Sequence, residues 1–502
     1  MAADDEKRHH QHNSHHFLLV TYGFQSHINP GRVLAHRLAR LGAAAGDGSS
    51  VLATLSVPVA TYRCMFPSHD AATSPAAETT TTDGGVVVSY VPYSDGVDDG
   101  SLPKDAEDRA TRRRASSESL SAVVARLAAG GLPVTCIMCT MVLLPAIDVA
   151  REHNIPAAIY WIQPATLLAI NYHYFHGYGE LIASHADDPA YEVCLPGLSR
   201  PLQISSFPSF LIDMSGTERS KAFIEVFQEV FEYMDQWRPK ILVNTFDELE
   251  EKVLAEMKRR HLDVSTIGPM VGPSAETRIH LFKHDDIDNK RYMEWLQAHP
   301  EKSVVYVSFG SIIKYTKQQM DEIVGGLQQC GRPYLLVVRR DGLEDDDENH
   351  SMESNTQSQG MVVDWCNQLE VLSHSAIGCF VSHCGWNSTI EAMASGVPII
   401  VPNMFDQPTN MYLIEEEWKV GIKGERNCDG VLTGAELARC IESVMGEGAE
   451  AMAIRERANT LKEIAQAAAN ISGCGSAERN LNDFVKTIQA RDNRTMPKSI
   501  NP

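Results

Sequence analysis

Three stretches of the sequence combine residue types that can do chemistry. His383-Cys384-Gly385-Trp386-Asn387-Ser388-Thr389-Ile390-Glu391 follows an apolar run at 378–381 and reads as a strand turning into a helix. Backbone N–H groups at such a start, together with the positive end of the helix dipole, make a site for an anion that needs no metal. Ser388 and Glu391 also have the Ser-x-x-Glu spacing of a capping box, which would be purely structural, and one carboxylate could serve both ends. Upstream, Trp365-Cys366-Asn367-Gln368 offers a π face to a planar group, and downstream Asp406-Gln407 places an acid beside an amide. Far from these, Gln25-Ser26-His27-Ile28-Asn29-Pro30 carries an imidazole that, near its ordinary pKa of ~6.5, can take a proton at neutral pH.

The elements that must position these groups follow from periodicity. Phe17-Leu18-Leu19-Val20 is a short apolar run, and after a loop Asn29-Pro30 reads as the N-cap and first position of a helix running through Leu38. Apolar runs at 86–91, 134–138, 157–162 and 241–243 alternate with helical patterns, as parallel strands with crossover helices do. A second alternating series has runs at 303–309, 334–338, 378–381 and 398–401. The prediction is an α/β chain of two Rossmann-like, doubly wound domains, with His27 beyond the carboxyl end of the first strand. The boundaries are a disordered arm over 1–16, a first domain over 17–268, a linker over 269–300, a second domain over 301–480, and a C-terminal helix or tail over 481–502 that returns toward the first domain.

Composition narrows the function classes. At 502 residues the chain holds two or three domains on a prior of ~100–200 residues each, and 43% hydrophobic with 22% charged residues suits packed cores. The 44 basic and 65 acidic residues give a net charge of −21, which repels nucleic acid. Eleven scattered cysteines without a secretory signal predict reduced thiols in the cytoplasm, and Cys136/Cys139 lack the second pair a metal site would need. No uninterrupted apolar run is long enough to span a membrane. The His-rich start, with His9, His10, His12, His15 and His16, reads as a solvated arm rather than a metal site.

Taken together in this order and spacing, Trp365 to Gln368, His383 to Glu391, Gly396-Val397-Pro398 and Asp406-Gln407 resemble the donor-binding box of plant family 1 UDP-glycosyltransferases. The resemblance implies the GT-B fold, two facing Rossmann-like domains with an interdomain cleft. It implies a donor site in which Trp365 stacks on uracil, Cys366 lies in the same turn, Gln368 and Glu391 take the ribose, and His383, Asn387 and Ser388 hold the diphosphate. It puts Trp386 on the sugar-facing wall, Asp406 and Gln407 on the sugar hydroxyls, and Ser311, in the Phe309-Gly310-Ser311 turn, near the β-phosphate. The acidic–amide pair points to glucose, so UDP-glucose is the expected co-substrate, with no cofactor and no metal. His27 matches the family's catalytic base.

Two departures bear on activity. The stretch between Pro398 and Asp406 is one residue shorter than the usual pattern. No carboxylate occurs in 136–145, where relatives carry an aspartate that orients the histidine; Thr140 falls nearest that place, and Asp148 belongs to the following helix. Without that carboxylate His27 is a weaker base, which suits a carboxylic acid acceptor, already ionised at neutral pH. Segments 161–166, 195–198 and 244–250 are similar to the subgroup of anthocyanin 5-O-glucosyltransferases and crocetin or plant-hormone glucosyl ester-forming enzymes. The resemblance thus implies inverting transfer of glucose to a hydroxyl or carboxyl group of a small lipophilic metabolite, such as a flavonoid, carboxylic acid or hormone-like molecule, by a monomer. The alternatives are a catalytically impaired UDP-sugar-binding protein, or the same chemistry with another UDP-sugar. Tyr172, Tyr174, Phe175, Phe207 and Phe210 either line the acceptor pocket or form core.

Overall fold

The computed structural model describes residues 14–44, 50–67, 76–79, 87–141, 143–272, 286–310, 315–339, 359–402, 407–470 and 475–495. In the first half, β1 (Ser14–Val20), β2 (Ser50–Pro58), β3 (Ala76–Thr79), β4 (Val87–Tyr93), β5 (Cys136–Thr140), β6 (Ala157–Trp161), β7 (Lys240–Val243) and β8 (Asp263–Thr266) form one sheet. Its order is β8-β7-β6-β5-β1-β2-β4-β3, with every pair parallel except the edge pair β3/β4. In the second half, β9 (Val304–Ser308), β10 (Tyr334–Val337), β11 (Gly360–Val363), β12 (Ile377–Ser382), β13 (Ile399–Pro402) and β14 (Gly421–Gly424) form a wholly parallel sheet in the order β11-β10-β9-β12-β13-β14. This is the doubly wound arrangement, whose strand order reverses between β9 and β12; in the first sheet the reversal lies between β1 and β5. The architecture is the GT-B type. Along β9, Val304 and Tyr306 enter one apolar layer while Val305 and Val307 enter the other, because a parallel sheet is covered on both faces.

Three expectations are corrected. β1 starts at Ser14 rather than at Phe17, so His15 and His16 belong to the sheet; residues 1–13 of the expected arm, with His9, His10 and His12, lie outside the described residues. His16 is 2% exposed because both ring nitrogens are satisfied, Nδ1 on the Leu132 carbonyl at 2.9 Å and Nε2 on Thr54 Oγ1 at 2.8 Å. Helix α1 (Gln25–Ala44) begins ahead of Asn29-Pro30 and keeps Pro30 inside it. The Phe24 carbonyl accepts from the N–H of His27 and of Ile28, at 2.9 and 3.0 Å, and closes the first turn early. The expected linker contains a helix, Asp286–Gln297, whose Tyr292 and Leu296 are fully buried against the second sheet.

The last described helix, Ser476–Thr495, does not stay with the second sheet. Its Leu481, Phe484, Val485 and Ile488 complete the core of the first, where the Phe484 ring lies 5.8 Å from that of Phe17. Arg37 of α1 donates to Glu478 of this helix at 2.7 Å, and its guanidinium also reaches the Ile267 carbonyl. Among the described residues no helix is long and apolar enough to cross a membrane.

Candidate active site

The two strand-order reversals put the candidate residues into one region. Val20 ends β1, and the loop Thr21–Phe24 leads into α1 with His27 in its first turn; Thr140 ends β5, the neighbouring strand. His27 Nδ1 lies 2.9 Å from Thr140 Oγ1, and Thr140 is 2% exposed. A proton on Nδ1 given to the hydroxyl leaves the Nε2 lone pair for chemistry. The rings of Tyr22 and Phe24 stand 5.2 and 6.2 Å from the imidazole. Burial in this apolar setting pulls its pKa down to about 4, so the ring is neutral at pH 7 but only weakly basic. Among the described residues no carboxylate bonds to His27. Asp148, on the helix after β5, is held by Arg113, whose Nε donates to it at 2.8 Å while another guanidinium nitrogen donates to Glu229 at 2.7 Å.

A cavity of about 520 Å³ reaches the loop ahead of α1, with Tyr22, Phe24, Leu102, Leu143, Leu144 and Val226 supplying apolar wall, and neither His27 nor Thr140 lines it. The helix Ala106–Ala129 presents Arg109, Arg112 and Arg113 to it at the spacing of one helical face. Tyr172, Tyr174, Phe175, Phe207 and Phe210 do not line this cavity. Tyr172 and Phe207 are buried core, and the other three pack against the same apolar clusters.

On the donor side, β12 ends at Ser382 and the helix Trp386–Ser395 begins after the turn His383–Gly385. Gly385 is its N-cap, and no side chain caps it, so the N–H groups of Trp386, Asn387 and Ser388 remain for another partner. This corrects the capping-box reading, because Ser388 sits inside the helix rather than at its cap. Ser388 Oγ and Glu391 Oε2 instead both accept from the Gln368 amide, at 3.0 and 2.8 Å. That brings together three expected donor residues from two helices. Trp365 is half-buried in the turn after β11. Cys366 is buried, with its sulfur 3.2 Å from the Tyr306 hydroxyl. Gln407 precedes a short helix, and its side-chain oxygen accepts from Asn410 at 3.2 Å. Ser311 and Asp406 lie outside the described residues.

His383 is wedged between two glycines. A Cβ on Gly310, whose φ is +78°, would come within 2.7 Å of its ring, and one on Gly385 within 2.4 Å of its Nε2. Burial pulls its pKa down to about 4, leaving a neutral ring at the turn. Trp386 departs from its expected place on the sugar-facing wall. Its ring is 2% exposed and its Nε1 donates across the domains to the Asn244 carbonyl at 2.8 Å, so only its backbone remains for a sugar.

The two halves therefore meet at the site. Besides Trp386–Asn244, Thr409 Oγ1 donates to the Ser206 carbonyl at 2.8 Å and Asn387 Nδ2 donates to the Ser26 carbonyl at 2.9 Å, one residue from His27. Glu250 was not anticipated from the sequence. Its buried carboxylate accepts from Ala165 N, Thr166 N and Thr166 Oγ1 at 2.7–2.9 Å and so caps the helix Ala165–His173 after β6. Burial raises its pKa, and these donors oppose the rise. A carboxylate capping a helix from another segment leaves no local sequence signal.

A family model described as UDP-glucoronosyl and UDP-glucosyl transferase matches residues 226–454. The chain is 38% identical over 500 residues to the chloroplastic crocetin glucosyltransferase of Gardenia jasminoides, covering 95% of this chain and 99% of that one. It is 37% identical over 487 residues to anthocyanidin 3-O-glucoside 5-O-glucosyltransferase 1 of Perilla frutescens, covering 94% and 98%. Among solved structures it resembles Os79 from O. sativa in complex with UDP, with a TM-score of 0.74 at 27% identity over 94% of this chain and all of that one.

Proposed function

Because the chain belongs to the family of UDP-glucoronosyl and UDP-glucosyl transferases, we propose that it transfers glucose from UDP-glucose to a small lipophilic acceptor, with inversion and without a metal ion. It is a UDP-glycosyltransferase. The observation that carries the proposal is the placement of the His27–Thr140 pair at the reversal point of one sheet and an uncapped helix start at that of the other, joined by the Asn387–Ser26 contact. The acceptor oxygen would attack the anomeric carbon as the bond to the diphosphate breaks. Its proton would go to His27 Nε2, and UDP would leave with the bonding pair toward the N–H groups of Trp386, Asn387 and Ser388. Trp365 would carry the uracil, Gln368 and Glu391 the ribose, His383 and Ser311 the phosphates, and Asp406 and Gln407 the sugar. The region around Cys366 would contribute backbone, since its sulfur is buried.

The low basicity of His27 favours acceptors that are acidic already, carboxylic acids or activated phenols. A neutral threonine holds the ring but adds no charge to stabilise an imidazolium. No disulfide occurs among the described cysteines, which supports a reducing compartment, the cytosol in our reading. We take the working unit to be the monomer, with domains divided near 268 and 301.

The test is a panel of phenols and carboxylic acids incubated with UDP-glucose and read by mass spectrometry, with mild alkali separating esters from O-glycosides. His27→Ala is expected to cut turnover of a phenol about 10²- to 10⁴-fold and that of a carboxylic acid much less, with UDP affinity nearly unchanged. An undiminished rate on the phenol removes His27 from the mechanism.

A further inference from the structure

We infer that Asn387 is a positioning residue for His27 as well as a donor-side residue, and that Pro30 is what makes the two roles possible. The inference rests on His27 being the base. In an unbroken α-helix the Ser26 carbonyl would accept from the N–H four residues on, which is position 30. Pro30 has no N–H, and it lies inside α1 with its neighbours in helical register. The Ser26 carbonyl takes instead the Asn387 side-chain amide at 2.9 Å, from the first turn of the helix on the opposite sheet. Ser26 and His27 are joined by one peptide bond, so this hydrogen bond fixes the backbone that carries the imidazole.

The Asn387 amide has two N–H donors. One is spent on Ser26, and the other remains beside the uncapped N–H groups where the diphosphate is expected. A single side chain thus spans from the donor's leaving group to the base. Donor binding that orders Asn387 also orders His27, and loss of the amide loosens the imidazole while leaving the stack on Trp365 intact. The requirement arises only because the helix cannot satisfy the Ser26 carbonyl by itself. That makes the inference separable from a simple loss of donor affinity.

The experiment is a double-mutant cycle on the full-length protein with Asn387→Ala, Pro30→Ala and the pair. It reads kcat and KM for UDP-glucose on one phenol and one carboxylic acid, with UDP affinity by calorimetry. Asn387→Ala should lower kcat on the phenol about fivefold, the worth of one net hydrogen bond, and should lower it much less on the carboxylic acid. Pro30→Ala returns an intrahelical N–H to Ser26, so in that background the same Asn387→Ala step should cost less than about twofold in kcat. Any rise in donor KM should persist in both backgrounds. Equal losses of kcat in the two backgrounds, or equal losses on the two acceptors, overturn the positioning role and leave Asn387 as a donor contact alone. Should Asn387→Ala fold poorly, judged by its melting curve, Asn387→Ser is too short to span the gap and reads the same cycle. Failure of the base assignment is a different result, an undiminished phenol rate in His27→Ala.

Discussion

Replacing Thr140 by Asp should turn a weak base into a stronger one. Thr140 Oγ1 lies 2.9 Å from His27 Nδ1, so an aspartate there, whose oxygens sit one bond further out, reaches the ring once its side chain turns to a rotamer that keeps one oxygen at hydrogen-bond distance. Burial alone holds the imidazole at about 4, against an ordinary 6.5. A carboxylate ~4 Å from the ring's charge is worth about 4 kcal/mol at an effective dielectric of ~20, or roughly 3 pKa units. Desolvation of the new carboxylate takes back part of this, so a rise of about 2 units is expected. The base works only when deprotonated. In the parent protein kcat/KM on a phenol should therefore fall only as pH drops through about 4, and in Thr140→Asp the fall should begin about 2 units higher. At pH 7.5 both rings are neutral, and the more basic one should turn over a phenol about tenfold faster if half the gain is felt in the transition state. A carboxylic acid should gain nothing. The assay is the pH profile of kcat/KM for the two acceptors from about pH 3 to about pH 9, which spans the limb near 4 and the one expected about 2 units higher. An acid limb that stays in place, with the variant folded, would show that position 140 does not govern the proton acceptor.

The other predictions concern donor binding and stability. Gly310→Ala places a methyl 2.7 Å from the His383 ring on a backbone with φ +78°, so the turn must shift; UDP affinity by calorimetry should weaken about tenfold or more, and an unchanged value would mean that His383 is not held by this turn. Glu250→Ala removes the acceptor of three hydrogen bonds, and should lower stability by about 2 kcal/mol or more. Glu250→Gln, which keeps one oxygen, should lose less, and a melting temperature equal to the parent's in both would sink the capping role.

Much of the scaffold is legible in the sequence because buried parallel strands are written as apolar runs. The runs at 134–138 and 241–243 foretell β5 and β7 to within two residues. β2, the strand beside β1, is not foreseen, since its buried face includes Thr54 and Ser56, and Thr54 is tolerated there by its bond to His16. The start of α1 is misplaced because Asn-Pro is a strong helix-start signal, while the Phe24 carbonyl that overrides it shows only in three dimensions. The same limit applies to the capping box: Ser388 and Glu391 have the spacing, but the Gln368 amide they share comes from a separate helix. Local spacing reports which groups lie on one face, not which distant group will meet them. Thr140 could be named only by its distance along the strand from where a carboxylate belongs, and its contact with a ring 113 residues away is a property of the closed sheet.

The helix Ser476–Thr495 sets the order in which the protein can be completed. Synthesis runs from the N-terminal side, so the first sheet emerges before this helix, yet the apolar surface that Leu481, Phe484, Val485 and Ile488 will cover stays open until the whole second sheet has been made. A nascent chain halted after the first domain would carry that uncovered patch. The two halves, though separate in architecture, are thus a single unit of biogenesis, and cutting the gene at the domain boundary would yield a first fragment prone to self-association.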